Sequence, residues 1–189
     1  MSRPNLLIGI VVGVVVVAAS VYVTGLSKTL LRPFFSSTEF QSTESAAAPE
    51  LAQGEWINSE PLTLKNLHGR VVLIDFWTFG CINCRNTLPS LKGWHDRYRD
   101  RGLTIIGVHS PEFDEEKNVD NLRRAVASLG ISYPVVTDND YQTWKAYNVE
   151  AWPTIFLLDK RGRIRWRHVG EGSYAEAERM IEKLLAEET

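Results

Sequence analysis

Apolar and polar positions divide the chain into three stretches of different character. Leu6 to Val23 carries no charge and no side-chain amide, and apolar character continues to Leu26. As a helix, residues 6–26 would span about 30 Å, the thickness of a hydrocarbon core. So many β-branched residues suit a lipid-facing helix better than a short soluble one. A transmembrane anchor over 1–26 is expected. The alternative is a cleaved signal peptide, with Val17-Ala18-Ala19 before Ser20 as the cleavage site. Arg3 on one side and Lys28 and Arg32 on the other do not fix orientation. Residues 27–49 are small and polar, and read as a flexible tether.

From about Glu50 to the C-terminus the pattern is that of a folded domain. Val71–Trp77 is a nearly continuous apolar run, as expected of a strand covered on both faces. Leu103–Val108 and Thr154–Leu158 read the same way. Leu88, Leu91, Trp94 and Tyr98 mark a helix closed by Gly102, and Val119, Leu122, Val126 and Leu129 a second, stopped by Gly130. Ser173 with Glu176 forms a capping-box pattern before a final helix carrying Ala177, Met180, Ile181, Leu184 and Leu185. Ile164, Trp166 and His168 alternate with Arg163, Arg165 and Arg167, predicting an edge strand whose arginines form a solvated face. Strands alternating with helices predict an α/β sheet.

Composition narrows the function classes. With 189 residues, 21 Lys+Arg and 23 Asp+Glu, the chain fits one domain plus an extension and offers no basic footprint for nucleic acid. Two Cys cannot build a disulfide-rich scaffold or a four-thiolate metal site. No metal or other cofactor is expected. If they matter, they matter as a pair.

Cys81-Ile82-Asn83-Cys84 follows a buried strand and opens a helix. Two intervening residues on a first helical turn bring both sulfurs within bonding reach. The first cysteine then meets the unpaired N–H groups and dipole of the helix start, which favour a thiolate. A thiolate attacks a disulfide, and the second thiol resolves the mixed disulfide. The rival is a structural disulfide, although so short a loop removes little unfolded-state entropy. Haem attachment would need His where Arg85 stands.

Asp75 lies within the apolar strand, six residues before Cys81. A carboxylate is expensive there. A buried acid beneath the pair could accept the proton of Cys84; the alternative is an end-of-strand carboxylate paired to a cation. Pro89 is expected to kink the helix. Trp152-Pro153-Thr154 precedes a buried strand, where a cis proline could offer backbone groups to an extended substrate.

Taken together, Asp75-Phe76-Trp77, Cys81-x-x-Cys84, Pro89, Pro153-Thr154 and Gly162 resemble the thioredoxin superfamily. The stretches 77–85 and 107–113 are similar to membrane-tethered thioredoxin-like proteins of the TlpA and DipZ type. The resemblance covers roughly residues 55–187. It implies a thioredoxin-like fold, a central mixed sheet flanked by helices, with residues 110–136 as a TlpA-type central insertion that includes a strand at Tyr133–Val136. It further implies Cys81 as attacking thiol, Cys84 as resolving thiol, Asp75 as buried acid and Pro153 as cis proline, with Trp152 and Thr154 beside it meeting substrate. Two departures stand out: Gly80 replaces thioredoxin's Trp before the first cysteine, and Ile82-Asn83 replaces Gly-Pro.

His109 and Glu112 fall at the end of the strand that would neighbour the Cys81 strand. They are candidate accessory residues, the alternative being a solvated loop. Phe113 and Trp152 are candidate docking surface or packing. The expected function is that of a membrane-anchored extracytoplasmic thiol–disulfide oxidoreductase, held in the cytoplasmic membrane by residues 6–26. It would act as a monomer on disulfide-bearing proteins, with a membrane thiol reductant as electron donor. Ile82 and Asn83 carry no charge to stabilise a thiolate, which favours a reductant. Relatives of this type often serve cytochrome c maturation. Rivals are a thiol peroxidase, for which Thr78-x-x-Cys81 is half of the pattern with Ile74 where Pro belongs, a disulfide-introducing oxidase, and a non-catalytic tethered module.

Overall fold

The computed structural model describes residues 47–188. The anchor expected at 1–26 and most of the tether expected at 27–49 lie outside the described residues. No helix among the described residues is long and apolar enough to cross a membrane.

A mixed six-stranded sheet forms the centre. Its strands are β1 (Trp56–Ile57), β2 (Val71–Trp77), β3 (Leu103–His109), β4 (Val135–Thr137), β5 (Thr154–Leu158) and β6 (Ile164–Val169), in the spatial order β1-β4-β3-β2-β5-β6. β2, β3 and β4 run parallel, while β1, β5 and β6 pair antiparallel to their neighbours. The helices are α1 (Ile82–Tyr98), α2 (Val119–Ser128), α3 (Gln142–Ala146) and α4 (Tyr174–Ala186).

Every residue of β2 is buried, as its unbroken apolar run requires of a strand covered on both faces. Alternation sends Leu73 and Trp77 to one side, against Leu88, Leu91 and Trp94 of α1, Leu122 and Val126 of α2, and Ile181 and Leu184 of α4. Ile74 and Phe76 go to the other side, against Leu64, Leu67, Tyr147 and Val149. Asp75 shares the α1 side by the same alternation, near enough to Cys84 for its charge to act on that thiol. β2–α1–β3 is a parallel crossover, which leaves the start of α1 at the carboxyl end of β2.

The domain's contacts begin before Glu50: Ala47 bridges Arg163, the Ala48 N–H donates to Gly162 O, and Pro49 O accepts from the Tyr147 hydroxyl. α1 continues through Pro89 and passes into a short 3-10 turn that ends at Gly102 in the left-handed region (φ 105°). The capping box expected at Ser173 does not form. Ser173 adopts φ 51° and makes no side-chain cap, while Glu176 accepts from Trp166 Nε1 on β6. The arginines of β6, an edge strand, are not all solvated either. Arg165 binds both carboxylate oxygens of Glu187, at 2.8 and 3.0 Å, and reaches Asp159 at 3.2 Å.

Candidate active site

Cys81 is the N-cap of α1, its backbone extended and its sulfur accepting the Cys84 N–H at 3.3 Å. Both thiols are free; Cys81 is half-buried and Cys84 only 2% exposed. A helix start has unpaired N–H donors, so the first sulfur has a polar environment and the second an apolar one. Burial, then the Cys81 contact and the Asp75 charge, push the Cys84 thiol well above the ordinary thiol range. A thiol raised in this way forms a thiolate only where a proton acceptor is at hand.

Asp75 is 1% exposed, and burial pushes its carboxyl up to about 7. Among the described residues it has no cation partner: its Oδ1 is unpaired, and so are the neighbouring polar atoms Trp77 Nε1 and Tyr133 Oη. The register explains the gap. Asp75 lies opposite Gly107, which has no side chain to offer. Gly107 lets Trp77 and Tyr133 close in: a Cβ there would lie 2.8 Å from Trp77 Nε1 and 3.4 Å from the Tyr133 ring. The tyrosine hydroxyl is pushed up by burial and by the Asp75 and Cys84 charges. No cation among the described residues pairs with Asp75, and desolvation raises its carboxyl.

The Trp152–Pro153 bond is cis. Pro153 is buried and its carbonyl accepts from Gly170 N–H at 2.7 Å. One lone pair of that carbonyl is thereby engaged within the fold. Thr154, expected beside it as a substrate contact, is buried and donates its hydroxyl to Ala151 O at 2.6 Å. It fixes the loop. Trp152 is half-buried, packs against Trp144 with the rings tilted by 42°, and donates Nε1 to Ser110 O at 3.0 Å. Exposed apolar side chains of this end are Ile82 at 66%, Phe113 at 54% and Val169, opposite Thr154, at 43%.

The accessory pair separates. His109 is fully buried, stacked on Phe79 and edge-on to Trp77, with Nε2 3.4 Å from the Thr78 hydroxyl. Burial lowers its imidazole to about 4, against a smaller opposing pull from Glu116. Glu112 is exposed. The carboxylate that enters the site is Glu116, four residues later and 2% exposed. It accepts from Gly80 N–H at 3.0 Å through one oxygen and from the Glu112 and Phe113 N–H groups at 2.6 and 3.1 Å through the other. Gly80 has room for this: any Cβ there would collide with the Glu116 oxygen. Sequence reasoning missed Glu116 because it sits in an acidic run, Asp114-Glu115-Glu116, that looks uniformly solvated. Gly80 in place of a large side chain was the only trace of it.

A dithiol at a helix start, above a buried acid in a mixed sheet, defines the thioredoxin-like class. Residues 44–167 match the model of the AhpC/TSA family, and the chain belongs to that family. Among curated proteins it is similar to Protein DipZ of Mycobacterium tuberculosis, 45% identical over 133 residues. These are 69% of this chain but 19% of DipZ, so the chain spans about a fifth of that relative. It is 26% identical over 140 residues to the thiol-disulfide oxidoreductase YkuV of Bacillus subtilis, covering 74% of this chain and 94% of YkuV. Among solved structures, a thiol-disulfide isomerase from Corynebacterium glutamicum superposes with a TM-score of 0.67 at 29% identity, over 75% of this chain and 98% of that one. Family, fold and dithiol together support an oxidoreductase.

Proposed function

We propose that this chain is a thiol–disulfide oxidoreductase that reduces disulfides of partner proteins through Cys81 and Cys84. Cys81, as thiolate, attacks one sulfur of the partner's disulfide; the S–S bond breaks and the partner's other sulfur leaves as a thiolate that takes a proton from water. Asp75 then accepts the Cys84 proton, and Cys84 attacks Cys81, releasing the partner's second sulfur as a thiol once it is protonated. Two electrons pass to the partner, and the enzyme is left with a Cys81–Cys84 disulfide. The observation that carries this reading is the buried carboxyl of Asp75 beside a buried thiol, poised near 7 and able to take a proton at neutral pH.

The domain is held, in this proposal, at the extracytoplasmic face of the cytoplasmic membrane by residues 6–26, whose uncharged run supports it. A membrane thiol reductant restores the dithiol, and cytochrome c maturation is the process proposed. The docking rim is Ile82, Phe113 and Trp152, apolar and at least partly exposed near Cys81. Insulin reduction with a dithiol donor, run beside hydrogen peroxide as alternative substrate, tests the chemistry. Disulfide reduction that is lost in Cys81→Ser supports it; peroxide consumption that survives Cys84→Ser would replace it by a peroxidase. Fractionation with N-terminal sequencing tests the anchor, which a soluble mature chain beginning at Ser20 would refute.

A further inference from the structure

We propose that Glu116 is a positioning residue for the attacking thiol, setting the redox balance of the cysteine pair through the Gly80 backbone. This inference rests on the dithiol reading above. The geometry is specific. Gly80 immediately precedes Cys81, and its N–H is the one donor of the Thr78–Cys81 turn that Glu116 takes, at 3.0 Å. The second oxygen of the same carboxylate holds the N–H groups of Glu112 and Phe113. One buried side chain thus ties the cysteine loop to the segment after β3 that carries the exposed Phe113.

A carboxylate 2% exposed is costly to keep unless something compensates. Here the three hydrogen bonds are all to neutral backbone N–H groups, which satisfy its lone pairs without cancelling its charge. A negative charge is left one residue from the position where Cys81 must itself become negative. Glu116 also withdraws the Gly80 N–H from the set of donors that a helix start would otherwise direct at an anion. Both effects oppose the thiolate, which exists in the reduced pair, and leave the neutral disulfide untouched. Glu116 therefore shifts the pair towards its disulfide, the bias of a protein that gives electrons away. It acts on Cys81 through the loop and by its charge, without touching the reacting sulfur.

Gly80 belongs to the same device. A side chain there would drive the Glu116 oxygen off the backbone, so the absent Cβ keeps the carboxylate in place.

The test is a titration of the pair against glutathione, with a dithiol plus glutathione disulfide on one side and the protein disulfide plus two glutathiones on the other. It is combined with the rate of Cys81 alkylation by iodoacetamide at fixed pH. Glu116→Gln removes the charge and keeps one acceptor oxygen, so its amide nitrogen must face either the Gly80 N–H or the Glu112 and Phe113 N–H groups. The expected result is a several-fold shift of the equilibrium towards the dithiol, with several-fold faster alkylation. Gly80→Ala, which displaces the carboxylate from the other side, should move both readouts in the same direction. It also decides the matter if Glu116→Gln does not fold. Unchanged equilibrium and alkylation in a folded variant, with only thermal stability lowered, overturns the proposal and leaves Glu116 a structural staple. If the wild type reduces no protein disulfide at all, the functional reading falls; alkylation and glutathione equilibrium need no protein substrate and still judge Glu116.

Discussion

Asp75 lies opposite Gly107 in the parallel register of β2 and β3, so the buried acid faces a residue without a side chain. Its other neighbours on that face, Trp77 Nε1 and the Tyr133 hydroxyl, are neutral and unpaired. Nothing there favours the carboxylate, and burial alone raises the group from 3.8 to about 7. At neutral pH a group so poised both accepts and returns a proton readily, as the proposed resolving step requires.

Asp75→Asn is accordingly expected to slow the resolving step while stabilising the fold at alkaline pH. Because the folded acid holds its proton more tightly than the unfolded one, its contribution is greatest below about 3.8 and is lost as pH rises to about 7. Above that the variant should exceed wild type by a few kcal/mol, at ~1.4 kcal/mol per pKa unit. Urea denaturation of the reduced proteins at pH 5 and pH 8 measures the gap. A gap that does not widen with pH would show that Asp75 is not desolvated as described.

Tyr133→Phe removes a fully buried hydroxyl that has no partner and leaves the ring in place. Deleting an unsatisfied polar atom while keeping the packing is neutral or favourable, so stability should hold or rise by about 1 kcal/mol. A loss of that size instead would mean that the hydroxyl has an ordered water as partner.

The two thiols should behave differently as traps. Cys81 is half-buried at the helix start and Cys84 is covered. Cys84→Ser should accumulate mixed disulfides with partner proteins and Cys81→Ser none, read on non-reducing gels. The opposite pattern would exchange their assigned roles.

Much of this site could be read in the sequence, for identifiable reasons. Asp75 interrupts an apolar run, Cys81 and Cys84 stand at helical spacing after a strand, and Pro153 precedes another strand; each is a local signal. Glu116 was hidden because inward and outward carboxylates look alike in an acidic turn. Its orientation depends on Gly80, 36 residues away. Glu112 was chosen by its nearness to His109, but the chain turns it outwards. The Ser173–Glu176 pattern failed for a similar reason: a capping box competes with tertiary partners, and Trp166 on β6 takes the glutamate. Arg165 left its solvated face because the carboxylates of Asp159 and Glu187 meet it there, a contact set by how β6 and the end of α4 come together. β1 and α3, of two and five residues, are too short to leave a periodic signal.

His109 supplies the last prediction, because its pH dependence opposes that of Asp75. Burial lowers the imidazole from 6.5 to about 4, so the unfolded chain binds its proton more tightly than the fold does. Stability from this group is therefore full above about 6.5 and lost as pH falls to about 4. Over the same interval Asp75 gains stability as pH falls, since its window runs from 3.8 to about 7. Each slope is bounded by ~1.4 kcal/mol per pH unit, and the two have opposite sign. They should largely cancel in wild type, leaving the pH dependence to the remaining carboxylates. Asp75→Asn should unmask a decline in stability towards acid, and His109→Gln a rise, each relative to wild type. The double variant should restore the wild-type slope, apart from any coupling between two groups in one core. Denaturation midpoints at pH 4.5, 5.5 and 6.5 for the four proteins measure this directly. Parallel curves for wild type and His109→Gln would mean that the histidine keeps its ordinary protonation despite its burial, and would return it to the list of acid–base candidates at neutral pH.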